Sequence, residues 1–201
     1  MEITPDKWVL KPGSPDFLDL PWHLPVLGWQ SICNRLEDAP RGLSRHPVVF
    51  VNYDGRLFAI KELPAGVAEK EYGLLQKIEA HHLPSVSPVG YADLERGNHS
   101  SSVLFTRFLD GALPYRMLFM NRGLKTYRKF LLDAIAGLLV QLHLAGVFWG
   151  DCSLSNTLFR RDAGALQAYL VDAETAEFYP ERMSAPLRYH DLEIMEENIN
   201  G

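Results

Sequence analysis

The stretch Phe148-Trp149-Gly150-Asp151-Cys152-Ser153-Leu154-Ser155-Asn156-Thr157-Leu158-Phe159-Arg160-Arg161-Asp162 sets a short polar loop between two apolar segments. On its N-terminal side, Leu131, Ile135, Leu138 and Leu142 recur at helical spacing, and further apolar residues fill the other faces, so the spacing predicts a helix lying in a core. On its C-terminal side, Thr157 to Arg160 and Leu166 to Val171 predict a β-hairpin around the turn Arg161 to Gly164. Asn156 and Asp172 are equidistant from Gly164, so they are expected to face each other across the hairpin, where opposed residues sit roughly 5 Å apart. An amide oxygen and a carboxylate at that separation can share a hard divalent cation. Asp172 ends the apolar run Tyr169-Leu170-Val171, where an unpaired anion is costly. Asp151 follows the predicted buried helix; it can do chemistry there, or simply order the loop by accepting backbone N–H groups.

Working outward to the N-terminal half, Val48 to Leu63 holds two apolar runs around Asp54-Gly55 and predicts a hairpin. Gly66 to Ala80 carries Val67, Leu74, Leu75 and Ile78 at helical spacing, and Pro84 prevents continuation. Glu71 falls on the apolar face of that helix, whereas Glu69 points to the polar side. Leaving a carboxylate buried without a partner costs about 3–5 kcal/mol, so a cation should meet it. Lys61 is the natural candidate, because alternation along its strand groups it with Leu57, Ala59 and Leu63. Such a pair can equally be a structural tie between sheet and helix. Val86 to Tyr91 and Val103 to Leu109 are two more strand candidates, separated by the polar loop Glu95 to Ser102. Residues 1–28 carry Pro5, Pro12, Pro15, Pro21 and Pro25 and read as an extended arm pinned by Trp8, Phe17, Leu20 and Trp22.

Composition limits the function classes. The chain has 201 residues, 47% of them hydrophobic, and a formal net charge of −5. That is enough to bury a core and gives no general attraction to nucleic acid or anionic lipid. Cys33 and Cys152 form neither a disulfide framework nor a metal-ligand motif, which fits a reducing compartment. The apolar stretch Ala134 to Gly150 is interrupted by Gln141 and His143 and falls short of the roughly 20 residues of a membrane span. The N-terminal segment has no secretory-signal pattern. A cytoplasmic protein is expected.

Taken in order, Ala59-Ile60-Lys61, Glu71, Asp151 to Asn156 and Val171-Asp172 resemble the protein-kinase-like phosphotransferase superfamily. Gly150-Asp151 and Asp172-Ala173-Glu174 look more like small-molecule and lipopolysaccharide (Kdo/WaaP-type) kinases than regulated protein kinases. The stretch Phe148 to Asp162 looks closer still to an uncharacterised actinobacterial family of that type, whose members usually continue into a C-terminal domain of unknown function. The resemblance implies an α+β, bilobal protein-kinase-like fold. Residues 1–28 would be the arm, 29–109 a β-rich N-lobe with one helix, and 110–201 a short, mainly helical C-lobe, minimal or truncated and open to completion by a missing domain.

The resemblance further implies ATP and Mg²⁺ as cofactors and an unidentified hydroxyl acceptor, which could be a sugar, glycolipid, metabolite or protein Ser/Thr. Lys61 would hold the α- and β-phosphates and be held by Glu71, and Asp151 would orient or deprotonate the acceptor. Asn156 and Asp172 would bind the metal. Arg107 and Leu109 would offer backbone groups to adenine, with Thr106 at the back of the pocket. Three departures stand out. The loop Glu37 to Pro47 contains only Gly42 and no glycine-rich pattern, and Arg41, Arg45 and His46 are either charged substitutes or solvated surface. Trp149 stands where protein kinases have His, which removes the imidazole that would tie this loop to Asp172. Only 29 residues follow Asp172. The alternative function is a non-catalytic nucleotide-binding or scaffolding module; transfer of AMP is a third. Arg122, Lys125, Arg128 and Lys129 read as a solvated helix face, and Cys152 as a packed thiol.

Overall fold

The computed structural model describes residues 7–40, 44–121, 124–181 and 183–200. Pro5, Arg41, Gly42 and Arg122 lie outside the described residues, as does the side chain of Lys125. The chain forms two compact units, the first made of Met1–Ala39, Ser44–Gln76 and Ser87–Phe108, the second of Pro40–Leu43, Lys77–Val86 and Leu109–Gly201.

The first unit is built on strands β1 (Lys7–Leu10), β2 (Leu36–Glu37), β3 (Val48–Tyr53), β4 (Arg56–Pro64), β5 (Pro88–Arg96) and β6 (His99–Arg107). They form one antiparallel sheet in the order β1-β5-β6-β4-β3-β2. The β3–β4 turn is Asp54-Gly55 with φ of 53° and 77°, a primed two-residue turn that matches the twist of the strands. Helix α1 (Val67–Ala80) follows β4 and buries Glu71, Leu74, Leu75 and Ile78, while Glu69 stays exposed and meets Lys7 and the Tyr91 hydroxyl.

Glu95 to Ser102 is not a loop. Both strands run through it and leave only Gly97-Asn98 between them. The polar residues remain in the ladder because they find partners across it. Ser100 Oγ donates to Glu95 Oε2 at 2.8 Å, and Ser101 Oγ donates to Glu62 on β4 at 3.2 Å.

The N-terminal segment supplies a second layer to this sheet. Its prolines confine it to the edge strand β1 and a 3₁₀ turn at Val26–Ser31. Phe17, Leu20, Trp22, Val26 and Trp29 join Val51, Phe58, Ile60, Val103 and Phe105 in a single buried cluster. Phe17 stacks on Phe105 at 4.7 Å, and Trp8 meets Trp22 edge-on at 5.4 Å. Polar bonds fix the layer: Val26 N donates to Glu62 Oε2 at 2.9 Å, and Arg96, paired with Glu62, donates to the Trp22 carbonyl at 2.8 Å.

In the second unit, β7 (Leu113–Pro114), helices α2 (Tyr115–Asn121) and α3 (Leu124–Leu144), β8 (Val147–Phe148), β9 (Thr157–Asp162), β10 (Ala165–Leu170), β11 (Glu177–Phe178) and helix α4 (Ala185–Asn200) follow in order. The strands form the sheets β10-β9-β7 and β11-β8. Helix α3 packs on β10 and buries Leu131, Ile135, Leu138, Leu139 and Leu142. It is not buried all round, as its spacing suggested: Phe130, Val140 and Leu144 face outward, Leu144 with 82% of its surface exposed. Among the described residues, no helix is long and apolar enough to cross a membrane.

The β9–β10 register corrects the expected opposition of Asn156 and Asp172. The turn is the two-residue Ala163-Gly164, with φ of 45° and 87°, and Thr157 pairs with Leu170. Asn156 therefore opposes Val171, whose N–H it accepts at 3.1 Å, and Asp172 stands one residue beyond.

Candidate functional site

In the first unit, β4 places Lys61 between Val48 of β3 and Leu104 of β6. Its Nζ lies 3.0 and 3.2 Å from the two carboxylate oxygens of Glu71. The Glu71 side chain is fully buried and that of Lys61 is 11% exposed. The helical phase that put a carboxylate on the apolar face thus brings it onto the lysine. Removing either side chain would take the ion-pair contact from the other in a largely buried setting, where charge is costly.

Of the residues expected to meet adenine, Arg107 ends β6 with its N–H donated to Ser87 O at 2.9 Å, so only its carbonyl can serve a base. The Leu109 carbonyl accepts Ala112 N at 3.1 Å, which leaves its N–H as the useful group. Thr106 is buried.

In the second unit, the loop after β8 is organised by a residue that the sequence reading passed over. Asp191 of α4 has no solvent exposure. Its Oδ1 accepts Gly150 N at 2.8 Å and its Oδ2 accepts Trp149 N at 3.0 Å. His143 Nε2 lies 2.8 Å from the same Oδ2, and the Cys152 thiol donates to the Asp191 main-chain carbonyl. The carboxylate holds the two amides immediately before Asp151. Asp191 was findable by the logic used for Glu71, because it lies four residues before buried Met195. The apolar phase of α4 runs through these two residues, while Leu192 is exposed.

Gly150 has φ +77°, and a Cβ there would lie 2.8 Å from Thr175 O. The position is both left-handed and crowded, so glycine is required. Asn156 Nδ2 donates to Asp151 O at 3.1 Å, which leaves the amide oxygen Oδ1 for another partner. Asp172 Oδ1 accepts Glu174 N at 3.1 Å. Trp149 Nε1 donates to the Asp172 carbonyl at 3.1 Å. The indole therefore makes the link between loop and Asp172 that the absence of His had put in doubt. Burial of Cys152, reinforced by the Asp191 charge, pushes its thiol up to about 12, the state of a packed rather than a reactive cysteine.

The sequence matches the lipopolysaccharide kinase (Kdo/WaaP) family over residues 56–200, which takes in β4 with Lys61 and everything through Asp191. The chain belongs to this family. Membership in Kdo/WaaP makes it a kinase, and the activity common to the family is ATP-dependent phosphoryl transfer. The Kdo/WaaP resemblance carried by Lys61, Glu71, Asp151 to Asn156 and Asp172 falls wholly inside the matched segment. Among solved structures, this Kdo/WaaP chain is similar to WaaP in complex with acyl carrier protein, with 17% identity and a TM-score of 0.62 over 94% of this chain and 80% of that one. That likeness establishes the mixed helix-and-strand fold. No curated protein sequence matches the chain.

Proposed function

We propose that this Kdo/WaaP-family kinase transfers the γ-phosphoryl group of ATP, with Mg²⁺, to a hydroxyl of a sugar or glycolipid. The Lys61–Glu71 pair carries the reading, because a fully buried carboxylate holds an ammonium that is only 11% exposed. A purely structural tie gains little from burying charge, since an apolar pair of similar volume is about as stable. A positioned cation suits phosphate, and phosphoryl transfer depends mainly on positioning and charge neutralisation.

In this reading residues 29–109 act as the N-lobe and 110–201 as the C-lobe. Lys61 takes the α- and β-phosphates, the Arg107 carbonyl and Leu109 N–H take adenine, and Asp151 orients the acceptor hydroxyl and receives its proton. Asn156 Oδ1 and the Asp172 carboxylate are hard oxygen donors that fit Mg²⁺. When bound, the ion would neutralise charge on the phosphate oxygens. Among the described residues no group of three or more His, Cys, Asp or Glu forms a metal cluster. Nucleotide oxygens and water would therefore complete the coordination.

The test combines thermal unfolding with turnover. At a hundredfold excess over Kd, Mg²⁺·ATP should stabilise the wild type by about 2.7 kcal/mol. Asp172→Asn should lose this shift. Asp151→Asn should keep it and lose at least about 100-fold in phosphoryl transfer to sugar and glycolipid acceptors. A wild-type chain that Mg²⁺·ATP does not stabilise would overturn the reading.

A further inference from the structure

The segment Ser44 to Pro47 runs directly into the strand beside Lys61. Val48 is the β3 residue opposite Lys61. Glu62 N donates to Pro47 O at 3.0 Å, so Pro47–Glu62 is the hydrogen-bonded position. Val48–Lys61 is then the closer, non-hydrogen-bonded one, with both side chains on the same face. Arg45 and His46 stand three and two residues ahead of the residue facing the lysine.

A triphosphate at Lys61 carries more charge than one ammonium neutralises, and in a loop of this kind the remaining donors are usually successive backbone N–H groups. Two such donors are missing here. Pro47 has no N–H, and the His46 N–H is directed to Ser44 Oγ at 3.2 Å. The two residues next to β3 thus offer the phosphates no backbone N–H, and side chains are the donors at hand there. Arg45 is exposed, and its planar fork of N–H groups matches phosphate oxygens two at a time. His46 is half-buried and carries a second ring donor.

We infer that Arg45, assisted by His46, grips the polyphosphate of the nucleotide by side chain where a row of backbone amides would otherwise do so. The inference rests on the ATP-kinase reading above and assigns that reading's phosphate contacts to particular residues.

Binding of ATP and adenosine to the full chain, measured by calorimetry in Mg²⁺ for the wild type, Arg45→Ala, Arg45→Lys, His46→Ala and Lys61→Met, tests it. Arg45→Ala should weaken ATP about tenfold and leave adenosine unchanged. Arg45→Lys should recover part of the loss, and His46→Ala should cost about threefold. Unchanged ATP affinity in the Arg45 and His46 variants, with loss only in Lys61→Met, would overturn the inference and leave the kinase reading standing. Equal losses for ATP and adenosine would overturn it too, since they would indicate a structural role. A wild type that does not prefer ATP to adenosine would overturn both.

Discussion

Asp191 and Cys152 carry most of the residue-scale consequences. Asp191 places both carboxylate oxygens on backbone N–H groups of the loop. In Asp191→Asn one oxygen becomes an NH₂ facing a donor, and a buried group loses its partner. The expected cost is about 1–3 kcal/mol, read as a fall in the urea midpoint at unchanged slope. Cys152 gives a pH signature. Its folded-state pKa is raised from 9.0 to about 12, by burial first and the Asp191 charge second. The folded protein thus holds this proton more tightly than the unfolded chain does. The contribution is fully present below about pH 9 and is lost as pH rises toward about 12. Melting temperatures between about pH 9 and 11 should fall less steeply in Cys152→Ala than in the wild type. Glu71 was legible because its helix has a clear apolar phase. Asp191 follows the same logic, since Leu187, Asp191, Met195 and Ile199 recur at four-residue steps on one face of α4, and Leu192, which is exposed, lies off it.

Among the elements, the hairpins separate what periodicity encodes from what it does not. Strand identity was readable in β3, β4, β9 and β10, but the β9–β10 register turned on Ala163 adopting φ 45°, a conformation alanine does not advertise. The β5–β6 strands were read too short because their ends are polar, and the cross-strand bonds of Ser100 to Glu95 on β5 and of Ser101 to Glu62 on β4 are invisible in a single strand's pattern. The apolar stripe of α3 was legible, but its end and its environment were not, since the apolar run continues to Gly150 although the helix stops at Leu144, and an apolar outer face looks like a buried one. The loop between β8 and β9 depends on Gly150 for both conformation and space. Gly150→Ala must adopt φ +77° and push against Thr175 O, at a cost of about 1–2 kcal/mol from the left-handed conformation alone. Because the strain falls beside Asp151, turnover should drop by a larger factor than ATP affinity, as a comparison of kcat with nucleotide Kd would reveal.

At the scale of the whole molecule, the N-terminal segment is a structural layer rather than an appendage. The prolines exclude a regular helix or central strand, but among its described residues the segment is extended only at Lys7–Leu10 and otherwise runs through turns and the 3₁₀ turn Val26–Ser31. The sheet residues it covers were not readable, because that depends on contacts with β3 to β6 far along the chain. Trp22 is buried in this layer and donates its indole N–H to Phe17 O at 2.8 Å. Trp22→Ala should destabilise the protein by about 3–5 kcal/mol in denaturant titration. The other tryptophans give the molecule an optical property. Trp8, Trp22 and Trp29 belong to the first unit, and Trp149 belongs to the second. With its indole bonded to the Asp172 carbonyl, Trp149 is an intrinsic fluorophore attached to the backbone of a residue proposed to ligate metal. With the other three replaced by Phe, its emission would report events at that one peptide unit. An indole N–H does not titrate where an imidazole would, near about pH 6.5, so the signal would keep the same meaning on both sides of neutrality.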